Sequence, residues 1–291
     1  MGRRRFLLGA LAALAFIVAL RLRSGRRGVI AREWPVNLAH RGASAGAPEN
    51  TLEAFRLAVE SGAGGLELDV HLTRDGHLVV IHDPTLERTT NMSGAVAGMT
   101  LEELREPDAG YNFSPDGGYT HPYRDLGLRI PTLTEVLREF PGVVLNIDMK
   151  ADLPGIEASV LKVLRESGAE GRALVVSSRL GSVRRFRRMS GGRISTGASR
   201  SETGIFFIFA NLRLERLLRP AYDALQVPLS HRGVPLVTRR FVEAAHASNV
   251  RVDAWTINES DEMRRLLDLG VDVIMTDRPE KLAEVLGERE R

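Results

Sequence analysis

Glu67 and Asp69 stand two residues apart in Gly65-Leu66-Glu67-Leu68-Asp69-Val70, and Asp148 and Lys150 repeat that spacing in Asn146-Ile147-Asp148-Met149-Lys150. Residues two apart on an extended strand share a face, so each pair points one way. His40-Arg41 closes an earlier apolar run, His82 ends another, and Trp255 and Thr276-Asp277 close later ones. Several carboxylates in a chain without cysteine suit a hard, oxygen-preferring cation such as Ca²⁺ or Mg²⁺. The planar fork of Arg41 and the point charge of Lys150 suit the oxygens of a phosphate anion. Histidine ordinarily titrates near neutral pH, so two of them can divide the general base and general acid roles. A cation and cationic side chains would stabilise the charge that develops on a phosphorane. The set describes phosphoester cleavage.

Such groups need a scaffold that gathers distant strand ends. β-rich runs are expected at 36–39, 65–71, 78–82, 143–148, 172–177, 193–197, 223–227, 251–256 and 272–276. Helical patterns fall between most of them, at 51–61, 132–140, 155–167, 181–189, 238–248, 259–269 and 279–286. Alternation of this kind reads as βα units around a parallel sheet. Thr73-Arg74-Asp75-Gly76 is too short for a crossover helix, and Asp-Gly signals a hairpin. Pairing 65–71 antiparallel with 78–82 leaves eight βα units, hence an α/β fold of the (β/α)8 TIM-barrel type, with active groups at the C-terminal strand ends. A tight turn there pairs residues whose numbers sum to about 149–151, which brings His82 opposite Glu67 or Asp69 within a residue of slip. Residues 84–128, rich in Gly, Pro, Asp and Tyr, read as an insertion forming a lid or rim. The aromatic run Ile205-Phe206-Phe207-Ile208-Phe209 interrupts the pattern and reads equally as core or as a lipid-contacting surface.

The charge is unevenly placed. Residues 1–32 hold eight arginines and no acid, which leaves 32 basic against 37 acidic side chains, a net of −5, for the rest. A mildly acidic body argues against nucleic acid as a partner. The leader itself runs Arg3-Arg4-Arg5, fifteen apolar residues from Phe6 to Leu20, then Arg21-Leu22-Arg23. That is the layout of a signal sequence, and Arg3-Arg4-Arg5-Phe6-Leu7 resembles a twin-arginine export motif. The apolar core is shorter than the ~20 residues of a usual spanning helix. Residues 1–32 are therefore expected to anchor the protein at a membrane or export it, with 33–291 forming one barrel domain.

Leu38-Ala39-His40-Arg41-Gly42, Pro48-Glu49-Asn50-Thr51, Glu67-Leu68-Asp69-Val70, Thr73-Arg74-Asp75-Gly76 and His82-Asp83 resemble, in order, the signature of glycerophosphodiester phosphodiesterases. Asn146-Ile147-Asp148-Met149-Lys150, Trp255-Thr256-Ile257-Asn258 and Thr276-Asp277-Arg278-Pro279 are similar to that family's later motifs, so the likeness spans about 36–285. The resemblance implies a (β/α)8 barrel that hydrolyses glycerophosphodiesters to glycerol 3-phosphate and an alcohol with one divalent cation, Ca²⁺ ahead of Mg²⁺. It implies His40 as general base, His82 as general acid, Glu67 and Asp69 as metal ligands, and Arg41 and Lys150 as phosphate contacts. Glu49 would lie near the metal or the glycerol hydroxyls. The family more often has Glu at the position of Asp148, which is kept as the third ligand.

Plainer roles stand beside these. Asn50 with Glu53 reads as a capping box for helix 51–61, and Asp277 as a cap for the last helix. Trp255 is either core or a wall of the glycerol or headgroup site. His71, His77, His121, His231 and His246 read as packing or surface residues. Lys150 is one of three lysines among 37 arginines, which suggests a role that Arg does not fill. The rival functions are lysophospholipase D-like cleavage of membrane lysolipids and an inactive barrel that binds a phosphodiester.

Overall fold

A computed structural model describes residues 34–150 and 154–289; the leader lies outside them. Eight parallel strands form the barrel: β1 (Asn37–His40), β2 (Gly65–Leu72), β4 (Val144–Met149), β5 (Ala173–Val176), β6 (Ser195–Thr196), β7 (Ala224–Pro228), β10 (Arg251–Trp255) and β11 (Val273–Thr276). β3 (Leu78–Val80) is antiparallel to β2, and β8 (Ser230–His231) pairs with β9 (Val234–Pro235) in a small separate hairpin that the sequence did not announce. The order β6-β5-β4-β2-β1-β11-β10-β7 closes through one parallel bridge, Gly197 to Ala224. Among the described residues, eight α-helices cover the outside: α1 (Leu52–Glu60), α2 (Leu133–Glu139), α3 (Ile156–Glu166), α4 (Leu180–Ser190), α5 (Arg200–Asn211), α6 (Arg239–Ala247), α7 (Ser260–Leu269) and α8 (Pro279–Arg289).

Strand alternation divides the core. Outward residues Leu66, Leu68, Val70, Leu145 and Ile147 pack against α1, α2 and α3, while Leu225, Val252, Ala254 and Ile274 pack against α5 to α8. Leu38, Val273 and Met275, with Leu174, Val176 and Ala224, form apolar patches of opposite parity, and Trp34 packs on both. Arg251 stacks over the Trp34 ring at 4.0 Å and pairs with the buried Asp253. These residues fill the barrel below the site.

The aromatic run belongs to α5, a helix the periodic reading passed over. Its start is marked by a capping box in which the Ser199 hydroxyl accepts from the Glu202 amide and the Glu202 carboxylate accepts from the Ser199 amide. Phe206 is fully buried and meets Phe241 edge-on, with ring centroids 5.7 Å apart. Ile208 and Leu212 face outward, so the core reading holds for Phe206 and the exposed surface is narrower than the run suggests. Phe206→Ala should therefore cost about 3–5 kcal/mol in urea unfolding, the usual range for deleting a buried ring. Ile208→Ser should stay within about 0.5 kcal/mol of the parent. Equal effects would place both residues in one environment.

The insertion at 84–128 is ordered around a core of its own. Leu86, Val96, Leu104, Ala109 and Ile130 pack on Val79 and Ile81 of the returning hairpin. It forms a rim seated on β3 and its continuation.

Candidate active site

One edge of β2 carries two strands that arrive from opposite ends. β1 comes up alongside it, with His40 opposite Glu67 and the Arg41 amide donating to the Glu67 carbonyl at 3.1 Å. β3 comes down on the same edge, with Val70 opposite Val80 and the Ile81 amide donating to the Asp69 carbonyl at 3.0 Å. Every ladder pair in the hairpin sums to 150, the middle of the expected range, so His82 comes level with Leu68, one residue off Glu67 and Asp69. His40 and His82 lie on either side of the junction, and His82, past the last ladder pair at Val80, is near enough for its charge to act on Asp69. β4 flanks the other edge with Asp148 in register with Asp69. The exit from β1 is tight: Arg41 and Gly42 both have left-handed backbones (φ 59° and 86°), and the Asn50 amide returns to the Arg41 carbonyl. A side chain at Gly42 would press against Ala54 at 2.7 Å, so only glycine lets this turn lie on α1.

Each histidine is held through Nδ1 by an aspartate. His40 Nδ1 lies 2.7 Å from Asp277 Oδ1, which also accepts from Ser44 Oγ at 2.8 Å. Asn258 Nδ2 donates to the other Asp277 oxygen at 2.7 Å, and the Asp277 amide donates back to Asn258 Oδ1. Burial would raise the Asp277 carboxyl, but the bonds from His40, Asn258 and Ser44 hold it at about 2. Burial opposes charging His40, yet Asp277 and the nearby Glu67 together push its pKa above the ordinary value. His82 Nδ1 lies 2.6 Å from Asp83 Oδ1. In both rings this arrangement leaves Nε2 as the free nitrogen.

A second network joins the His82 side to the floor. Arg88 from the insertion donates through Nε to Asp83 and through both terminal nitrogens to Glu49, at 2.7 and 2.8 Å. Glu49 also accepts from Arg41 Nη1 at 3.0 Å, and Arg41 Nε stands 3.3 Å from Asp69 Oδ2. Asn50 Nδ2 donates to Asp69 Oδ2 at 2.9 Å, and Lys150 Nζ lies 3.0 Å from Asp69 Oδ1 and 2.6 Å from Asp148 Oδ2. His82 is close enough for its charge to act on both Asp69 and Asp148.

Three carboxylates, Glu67 and Asp69 buried and Asp148 half-buried, face two cations, Arg41 and Lys150. Burial and the charge of Asp69 push the Glu67 carboxyl well above the usual range. Asp69, which burial alone would also raise, is held low by Lys150 and Arg41. Burial raises Asp148 despite Lys150. Asp69 Oδ1 is buried and, although it faces Lys150, makes no hydrogen bond of acceptable angle. Among the described residues no three carboxylate or imidazole groups already stand in ligand geometry around one point. The donor chemistry nonetheless fits a hard divalent cation: all oxygen, anionic, buried, with Asp69 holding an unused lone pair.

The structure brings His40, His82, Arg41, Glu49, Glu67, Asp69, Asp148 and Lys150 to one end of the barrel. Trp255 stands at the C-terminal end of β10 and is 41% exposed, so it is not core. Two plainer readings are corrected. The N-cap of α1 is Thr51, whose hydroxyl accepts from the Ala54 amide, while Asn50 sits outside the helix and binds Asp69. Asp277 turns toward His40. Asn258 and Arg88 were not singled out; Asn258 sits three residues after Trp255, and Arg88 six after His82, but nothing local marks their partners.

A model of the glycerophosphoryl diester phosphodiesterase family matches residues 40–281. A glycerophosphodiester phosphodiesterase of Caldanaerobacter subterraneus is 36% identical over 86% of this chain and 96% of its own length. A probable glycerophosphodiester phosphodiesterase 2 of Mycobacterium tuberculosis is 34% identical over 86% of this chain and 90% of its own. Among solved structures, the glycerophosphoryl diester phosphodiesterase domain of an uncharacterized M. tuberculosis protein superposes with a TM-score of 0.76 at 25% identity, covering 87% of this chain and 99% of that one. An Oleispira antarctica phosphodiesterase in complex with the product sn-glycerol-3-phosphate gives 0.68 at 27% identity, covering 86% and 96%. The chain thus belongs to the glycerophosphoryl diester phosphodiesterase family and is a phosphoric diester hydrolase.

Proposed function

We propose that this enzyme hydrolyses glycerophosphodiesters to glycerol 3-phosphate and an alcohol, with one divalent cation. The observation that carries the reading is the pair of aspartate-held histidines facing a common floor of Arg41, Lys150 and carboxylates. His40 Nε2 takes the proton of the neighbouring glycerol hydroxyl as that oxygen attacks phosphorus. His82 Nε2–H gives its proton to the departing alkoxide, and a cyclic phosphate remains. Water then opens the ring with the two histidines in exchanged roles, which restores both. Arg41 and Lys150 contact the phosphoryl oxygens, Glu49 holds Arg41 in place, and Trp255 borders the alcohol. Glu67, Asp69 and Asp148 would hold the cation, which when bound supplies charge stabilisation at the phosphoryl oxygens. An irregular carboxylate set favours Ca²⁺ over Mg²⁺, because Mg²⁺ demands near-ideal octahedral geometry.

The substrate proposed is a small phosphodiester rather than a lysolipid, since Phe206 of the aromatic run is core, and rather than a polynucleotide, since the body is anionic. Residues 1–32 are proposed to supply membrane attachment or export. The deciding assay follows hydrolysis of glycerophosphocholine and lysophosphatidylcholine by the purified full chain, before and after exhaustive chelation. Hydrolysis of glycerophosphocholine should vanish with chelator and return with Ca²⁺. Undiminished turnover after chelation would overturn the cation requirement, and preference for lysophosphatidylcholine would overturn the substrate.

A further inference from the structure

Arg88 lies in the insertion, outside the barrel strands, yet it makes the densest set of ion pairs at the rim. Its Nε faces Asp83 Oδ2, and its two terminal nitrogens grip both oxygens of Glu49. Asp83 holds His82 with its other oxygen. The two imidazoles are thus supported unequally. Asp277 is locked by neutral donors, Asn258 and Ser44, that come from the barrel itself. Asp83 follows the short strand β3, and its outer oxygen is fixed by a single guanidinium.

We propose that Arg88 is a positioning residue for the proton-donating His82, so that the acid half of the site is assembled by the insertion. The proposal rests on the reading of His82 as general acid given above. The fork geometry matters. Arg88 uses one edge for Asp83 and the other for Glu49, and so sets the distance between the exit of β3 and the entry to α1. A lysine offers one nitrogen and no fixed plane, so it keeps the charge without spanning both carboxylates. Because Glu49 also binds Arg41, the same guanidinium ties the orientation of His82 to the phosphate-contacting arginine. Arg88 acts through Asp83 on a ring whose Nε2–H must point at the oxygen that leaves as the P–O bond breaks. It touches neither phosphorus nor the leaving group.

This role makes a prediction that a simple anchor for the insertion does not. Two substrates are compared, glycerophosphocholine, whose departing alkoxide needs a proton, and a glycerol phosphodiester of 4-nitrophenol, whose leaving group departs without one. His82→Ala, the reference, should slow release of the first alcohol, followed in a single turnover, on the choline ester only, because the ring opening that also uses His82 comes after it. Arg88→Met should lose roughly 10–100-fold in that single-turnover rate on the choline ester, the range seen when the orienting partner of a site residue is removed, and change little on the nitrophenyl ester. Arg88→Lys should recover only part of the loss. An equal drop on both esters, or no drop on either, would overturn the proposal and leave the acid role of His82 intact. If His82→Ala itself shows no selectivity, the general-acid assignment fails, and the proposal falls with it.

Discussion

Alanine at either site histidine should lower kcat by roughly 10²–10⁴-fold, the usual contribution of a positioned acid or base. His40→Ala should lose this on good and poor leaving groups alike, because the attacking hydroxyl needs its proton removed whatever departs. Asp277→Asn should reproduce much of that loss without touching substrate. It exchanges an anion for an amide that has to choose between donating to and accepting from His40 Nδ1, so the ring no longer keeps one tautomer. His231→Ala and His246→Ala serve as comparison, since His231 is exposed and His246 pairs with Asp272 on the outside. Similar losses from all four histidines, or a fall in thermal stability that tracks the fall in rate, would mean that the rings serve folding rather than proton transfer.

The second large effect is expected at Asp69. This carboxylate is 1% exposed and is the one group that meets Lys150, Arg41 and Asn50 together. Asp69→Asn leaves two cationic side chains facing a neutral amide in a buried site, and breaking a buried pair from one side costs about 3–5 kcal/mol. It also removes the carboxylate whose buried Oδ1 faces Lys150 but accepts no hydrogen bond. Calorimetric titration with Ca²⁺ should show binding weaker by on the order of 10²-fold, the upper scale for losing even a partner of a metal ligand, and the melting temperature should fall. Asp148→Asn should weaken binding less, and Asp148→Glu should be tolerated. Unchanged Ca²⁺ affinity in the Asp69→Asn protein would remove the carboxylate floor from the cation site.

The parts of this molecule that were legible in the sequence are those governed by short periods. Spacing by two put Glu67 with Asp69 and Asp148 with Lys150, and the Asp-Gly turn set the hairpin register that places His82. The (β/α)8 count followed from nine strand-like runs once the short Asp-Gly turn made one of them the antiparallel partner of another. What stayed hidden depends on partners far along the chain. Asp277 is 237 residues from His40, and Asn50 is 19 from Asp69; no local pattern distinguishes an aspartate that orients a ring from one that caps a helix. Asn50 was misread because Thr51, one residue later, is an equally good cap. α5 was passed over because a run of aromatic and β-branched residues masks helical periodicity, although the Ser199-to-Glu202 spacing was a usable start signal.

The head-on meeting of β1 and β3 along one edge of β2 gives the hairpin the character of a ruler. Its turn, at 73–77, fixes by residue count the ladder that ends at Val80, and one residue more or less would shift where the chain leaves β3 for His82 relative to Glu67 and Asp69. The stretch after Arg88 carries no such measure. Both its ends are pinned, by β3 on one side and α2 with β4 on the other, so its length can change without altering the span between the two site imidazoles. The interval before His82 is in this way rigid in number, and the interval beyond Arg88 is open to revision.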